Sequence, residues 1–158
     1  MPGRPVPLLK TVMLQDAAAS ESLGARLAPL LRARDVVALQ GDLGAGKTTL
    51  ARGLLRALAG APDMEVPSPT FTLVEVYEFS ALAVWHFDLY RLKRPEDAWE
   101  LGLEQALGEA VSLIEWPERL ADLIPAERLE IHLAMDGGGR RADLAGSAGW
   151  AARLEALP

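Results

Sequence analysis

The stretch "ALQGDLGAGKTTL", residues 38–50, decides the fold. Within it, Gly41-Asp42-Leu43-Gly44-Ala45-Gly46-Lys47-Thr48 fills the pattern G-x-x-x-x-G-K-S/T without a gap. Glycines let backbone N–H groups turn inward around phosphates at a helix N-terminus, where the helix dipole favours anions. Lys47 then supplies a point charge for the β- and γ-phosphates, and the Thr48 hydroxyl can ligate Mg²⁺. The flanks agree. Val36 to Leu39, "VVAL", reads as a buried strand, and Thr48 to Leu58 as a helix with Leu50, Leu54, Leu55 and Leu58 inward. Gly60 and Pro62 stop that helix. Strand, glycine loop and helix are the context a phosphate-binding loop requires.

Around this unit the chain has 158 residues, half of them apolar. Domains commonly run to about 100–200 residues, so residues 1–158 are expected to form a single domain. There is no cysteine, which excludes disulfides and thiolate metal sites. No stretch approaches the roughly 20 apolar residues of a membrane span. The start of the chain, "MPGRPVPLLK", is proline-rich and lacks the long apolar run of a secretory signal. The expectation is a cytoplasmic protein with no membrane contact. A net charge of −6 and a pI near 4.9 disfavour gripping a nucleic-acid backbone unaided, although a basic partner could still present RNA.

Outward from the loop, Thr11 to Leu14 reads as an edge strand. Asp16 or Ser20 can cap a helix whose Leu23, Leu27, Leu30 and Leu31 share one face. Thr72 to Phe79 and Ala83 to Leu89, joined by three residues, suggest an antiparallel hairpin. Pro95 opens an acid-rich helix through Leu101, Ala110 to Ile114 is a further strand, and Pro117 opens a short helix. Arg128 to Met135 alternates as a half-exposed strand. "DGGGRR" turns into a last strand, and Trp150 to Leu157 forms a terminal helix. Strands alternating with helices predict a three-layer α/β sandwich of the P-loop NTPase type, its central sheet mostly parallel with one antiparallel hairpin.

Hydrolysis needs a carboxylate near the metal. "AVWHFD" ends in Asp88 and "AVSLIE" ends in Glu115. Acids at the carboxyl ends of strands beside the loop can reach Mg²⁺ or its waters. Spacing does not choose between them. "PSPTFTL", residues 67–73, offers Ser68, Thr70 and Thr72 on a proline-stiffened loop, where related folds place a segment that senses the γ-phosphate. His86 reads as a strand residue hydrogen-bonding locally, not as a catalytic base. Trp85, Trp99 and Trp150 read as core, whereas Trp116, directly after a candidate acid, is a site candidate. No Asn-Lys-x-Asp occurs, and no glycine lies three residues after Asp88, so the chain favours ATP over GTP.

Taken together, "GDLGAGKTTL", "SPTFTLVEVYE", "HFDLYRL" and "LIEWPERL" resemble the TsaE family, P-loop ATPases of bacterial tRNA threonylcarbamoyladenosine synthesis. The resemblance covers about Leu23 to Ile124. It implies an ATP- and Mg²⁺-dependent ATPase, slow alone, acting beside TsaB and TsaD, which modify the adenosine next to the anticodon; tRNA would be met only indirectly. Hydrolysis would reset that complex between turnovers. Gly41, Asp42, Gly44, Ala45, Gly46, Lys47, Thr48 and Thr49 would hold the phosphates, with Thr48 on Mg²⁺. Thr70 would belong to the switch-like loop, Asp88 would serve hydrolysis, and Glu115 would bind the metal through water. Trp116 would lie beside the nucleotide, as would Arg140 or Arg141, while Gln15 and Asp16 would border the adenine. Residues 1–10 and the last dozen find no counterpart.

From the residues alone, two other classes stay open. A small-molecule kinase would use Arg91 and Arg94 as lid arginines and Asp88 as base for a substrate hydroxyl. A nucleotide-stabilised adaptor would never turn over. Free phosphate, a phosphorylated metabolite, or neither would separate the three.

Overall fold

The computed structural model describes residues 4–157. Met1, Pro2 and Gly3 of the proline-rich start, and Pro158, lie outside the described residues. Seven strands form one sheet: β1 Leu8–Leu14, β2 Val36–Gln40, β3 Val74–Glu78, β4 Ala83–Asp88, β5 Val111–Glu115, β6 Leu129–Asp136 and β7 Gly139–Gly146. Their order is β1-β7-β6-β2-β5-β4-β3. The middle four, β6-β2-β5-β4, are parallel, so their carboxyl ends gather at one edge of the sheet beside the glycine loop. That is where open α/β sheets bind ligands.

Alternation along β2 explains the layers. Val37 and Leu39 join a core with α1 (Ala17–Leu27), α2 (Lys47–Ala59) and α4 (Ala148–Glu155). Val36 and Ala38 face the other way, onto α3 (Leu103–Glu109) and the 3₁₀ segments Pro95–Leu101 and Pro117–Leu123. Two apolar faces need two covers, and a three-layer α/β architecture results. The α1–α2 contact is unusually close. A Cβ on Gly53 would stand 2.1 Å from the Glu21 carbonyl oxygen, so only glycine lets these helix backbones approach this far. Asp16 caps α1 by accepting the Ala19 N–H at 2.9 Å, one of the two caps expected from the sequence.

Three expectations need correcting. The sheet holds three antiparallel pairs, not one: β3–β4, β6–β7 across the "DGGGRR" turn, and β1–β7. A tight glycine turn can only return the chain antiparallel, and β1 then adds to the edge that β7 presents. Pro95–Leu101 is 3₁₀ and not α, and the seven-residue helix α3 that follows was not expected. Gly102, in the left-handed region at φ 91°, separates the two turns and hides their common periodicity. Trp99 is 42 % exposed, outside the core that Trp150 does enter. Among the described residues no helix is long and apolar enough to cross a membrane.

Candidate nucleotide site

The loop after β2 delivers Gly46 at φ 105°, a left-handed conformation that a side chain would resist, directly onto α2. No side chain caps this helix start. The first-turn N–H groups of α2 therefore keep their hydrogen-bonding capacity for an anion. Lys47, buried in the first turn, donates from Nζ to the Gly41 carbonyl and to the Asp42 carbonyl at 3.0 Å. Its ammonium also lies 4.2 Å over the Trp116 ring. Burial pulls the Lys47 pKa below its ordinary value, and the nearby carboxylates, Glu115 foremost, only partly oppose this. A buried cation whose hydrogen bonds go to neutral carbonyls can exchange them for phosphate oxygens.

The two candidate acids stand side by side. In the parallel β4–β5 pairing Asp88 lies opposite Glu115. By strand alternation His86 and Asp88 share the face that Val84 turns toward α1 and α2, and Glu115 shares that of Leu113. Thr48 Oγ1 donates to Glu115, at 2.9 Å from Oε1 and 3.2 Å from Oε2. The Asp88 Oδ1 instead accepts the Tyr90 backbone N–H at 3.1 Å. Burial raises the Asp88 pKa above its ordinary value, the Tyr90 N–H opposes the rise, and Glu115 adds to it. Geometry thus separates acids that spacing could not: Glu115 is joined to the loop hydroxyl, and Asp88 waits beside it.

This donor set fits a magnesium nucleotide. A hydroxyl and a carboxylate are hard oxygen donors, and among the described residues no group of three or more His, Cys, Asp or Glu is placed to enclose a metal. Mg²⁺ is commonly held by one or two protein oxygens, with phosphates and waters completing its shell.

Two cavities flank the loop and share Gly44, Gly46 and Thr49. One, of about 260 Å³, contains Lys47, Thr48, Asp88, Glu115 and Trp116, closed on one side by Ser68 and Thr70. Those two hydroxyls bond each other at 2.9 Å, while Phe71 next to them is 79 % exposed. The other, of about 330 Å³, contains Gln15, Asp16, Ser20 and Arg140. Arg140 reaches the Gly44 carbonyl at 3.2 Å, whereas Arg141 turns away to Asp136 and Asp143, so Arg140 is the arginine at the loop. A larger cavity, about 520 Å³, opens between the outer sides of α1 and α2, away from the acids and Lys47.

Sequence reasoning missed two contacts. His86 Nε2 lies 2.7 Å from Glu115 Oε2, with both side chains buried. Strand parity carried the signal, since His86 sits two residues before Asp88 and so faces the same way. Tyr90 packs on Trp116 with ring centroids 4.9 Å apart. Trp116 itself has left-handed backbone at φ 59°, rare for a bulky residue and the kind of strain that gathers at ligand sites.

Comparison with known proteins gives the family. The family model described as threonylcarbamoyl adenosine biosynthesis protein TsaE matches residues 14–142. The tRNA threonylcarbamoyladenosine biosynthesis protein TsaE of Rickettsia felis is 39 % identical, over 77 % of this chain and 71 % of its own. That of Synechocystis is 42 % identical, over 70 % and 71 %. The crystal structure of Bacillus subtilis YdiB superposes with a TM-score of 0.74 at 29 % identity, covering 94 % of this chain and 93 % of that one.

Proposed function

The chain belongs to the TsaE family of threonylcarbamoyladenosine biosynthesis, and on that premise we propose an ATP-binding and ATP-hydrolysing switch subunit. It acts in the cytoplasm on a TsaB–TsaD-like complex and meets tRNA through those partners, consistent with its own charge of −6. One observation carries the reading. The hydroxyl beside the loop lysine is bonded to a buried glutamate that stands in register with a second buried acid.

When bound, MgATP supplies a terminal phosphoryl group that can be transferred to water. Lys47 and the α2 amides bind phosphate oxygens and offset their charge. Thr48 and Glu115 would hold the metal, Glu115 through water. Asp88, with its pKa raised by burial, orients a water and takes up its proton. Ser68 and Thr70 line the same cavity, next to the exposed Phe71, so the 67–73 segment can respond to the terminal phosphate and still meet a partner. Gln15, Asp16 and Arg140, which line the neighbouring cavity, would border the nucleoside. Completion by a partner commonly accelerates such sites about 10³- to 10⁵-fold, and the isolated chain is expected to turn over slowly.

The test is affinity for a TsaB–TsaD pair with ATP and with ADP, for the parent and for Thr70→Ala. Tighter docking with ATP, and a Thr70→Ala variant that keeps ATP binding but loses this preference, support the switch. Equal affinity in both nucleotide states rejects it. A phosphorylated metabolite in place of free phosphate would restore the kinase.

A further inference from the structure

His86 has no part in the reading above, yet it is fully buried and makes the shortest side-chain contact to either site acid. We infer that His86 is a positioning residue that fixes the Glu115 carboxylate for the metal. An ionised carboxylate can only accept, so the 2.7 Å contact requires Nε2 to carry the proton and donate it. Nδ1 is buried, with no hydrogen-bond partner among the described residues. The arrangement that fits this contact is the one with a proton on Nε2.

Glu115 is thereby held from two directions. Thr48 reaches it from the start of α2, on the side of the cavity, and His86 reaches it from within the sheet. A Thr48 hydroxyl that ligates a cation does so through a lone pair and can keep its proton on Glu115, so that bond and the His86 bond act on the carboxylate together. The His86 bond comes from the interior, away from the cavity that Thr48 lines. It keeps the carboxylate from rotating toward Asp88, which faces it across β4–β5. Outer partners of metal ligands commonly contribute about 10- to 100-fold in metal affinity.

The inference rests on reading Glu115 as the metal carboxylate, and the experiment separates the two. ATP affinity is measured with Mg²⁺ and with EDTA, and Mn²⁺ binding to the ATP complex is followed by electron paramagnetic resonance. His86→Leu removes the donor at similar volume, whereas His86→Gln keeps an N–H near the Nε2 position. Expected is a loss of about 10- to 100-fold in metal affinity for His86→Leu, with ATP affinity in EDTA unchanged and with recovery in His86→Gln. In a Glu115→Gln background His86→Leu should add nothing. Equal losses with and without metal would assign His86 a packing role and overturn the inference, as would a His86→Leu variant with the metal affinity of the parent. A parent with no metal dependence would instead overturn the reading of Glu115. If His86→Leu does not fold, ¹⁵N spectra of the parent's His86 ring decide: an Nδ1–H tautomer overturns the inference and an Nε2–H tautomer upholds it.

Discussion

The amino ends and the carboxyl ends of the central strands both bury charge, and they treat it in opposite ways. At the amino ends, Arg153 from α4 clasps Asp35 with two bonds of 2.6 and 2.9 Å, and the Arg32 N–H adds a third at 2.7 Å. On the other face of the sheet Arg128 donates to Glu130 and to the carbonyls of Pro125 and Arg4, and His132 meets the other Glu130 oxygen. These bonds, that of His132 first, hold the Glu130 pKa below its ordinary value: the fold favours the ion. At the carboxyl ends the Lys47 pKa is pulled down and that of Asp88 pushed up, so the fold there disfavours both ions. A network satisfied within the chain needs no ligand. One that disfavours its own charges is arranged for a ligand to complete, as at many functional sites.

Substitutions should divide along the same line. Lys47→Ala is expected to lower ATP affinity by about 3 kcal/mol, roughly a hundredfold, without lowering the melting temperature of the nucleotide-free protein. Calorimetric titration and a thermal scan on the same sample check both halves. Parent-like ATP binding would end the phosphate-cradle reading. Arg153→Ala should do the reverse, costing about 3 kcal/mol of stability by leaving Asp35 without its charge partner. ATP affinity of the folded fraction should be unchanged. Denaturant unfolding measures the first effect, and a loss of binding instead would break the division.

Glu130→Gln is smaller, about 2 kcal/mol at pH 7, and carries a pH signature. A carboxylate whose pKa is lowered from 4.5 on folding contributes stability above that value and loses it as the pH falls through the folded one. The gap between Glu130→Gln and parent should therefore narrow below about pH 4.5 and close at lower pH. A pH-independent gap would mean that the charge is not the cause. Smallest is Asp88→Asn. Its raised pKa costs stability above the folded value, and the cost fades as pH falls toward 3.8. Asp88→Asn should stabilise the nucleotide-free protein by about 1 kcal/mol at neutral pH, keep ATP binding and lose turnover. Destabilisation at neutral pH would place Asp88 with the satisfied cluster.

The carboxyl-end site was readable to the extent that it is local. Gly41 to Thr48 is contiguous, and its strand and helix fell within about a residue of their observed ends because the alternation and the leucine spacing are undisturbed. The acids were recognised as strand ends, but their order toward Thr48 depends on how β4 and β5 pair, a register that no single segment states. His86 was hidden for the same reason: its partner lies 29 residues away on the next strand. The clusters at the amino ends left less trace, since Asp35 and Arg153 are 118 residues apart and each alone reads as a surface charge. The antiparallel flank was underread because β1 joins β7 from the far end of the chain.

Gly53, pressed against the backbone of Glu21, has a mechanical consequence. Asp16 and Ser20 sit on the approach and first turn of α1, and Lys47 to Thr49 begin α2. With the two helices locked backbone to backbone, one wall of the cleft beside the glycine loop is a rigid anvil. The facing wall, with Ser68 and Thr70, comes instead from a loop that this lock does not include.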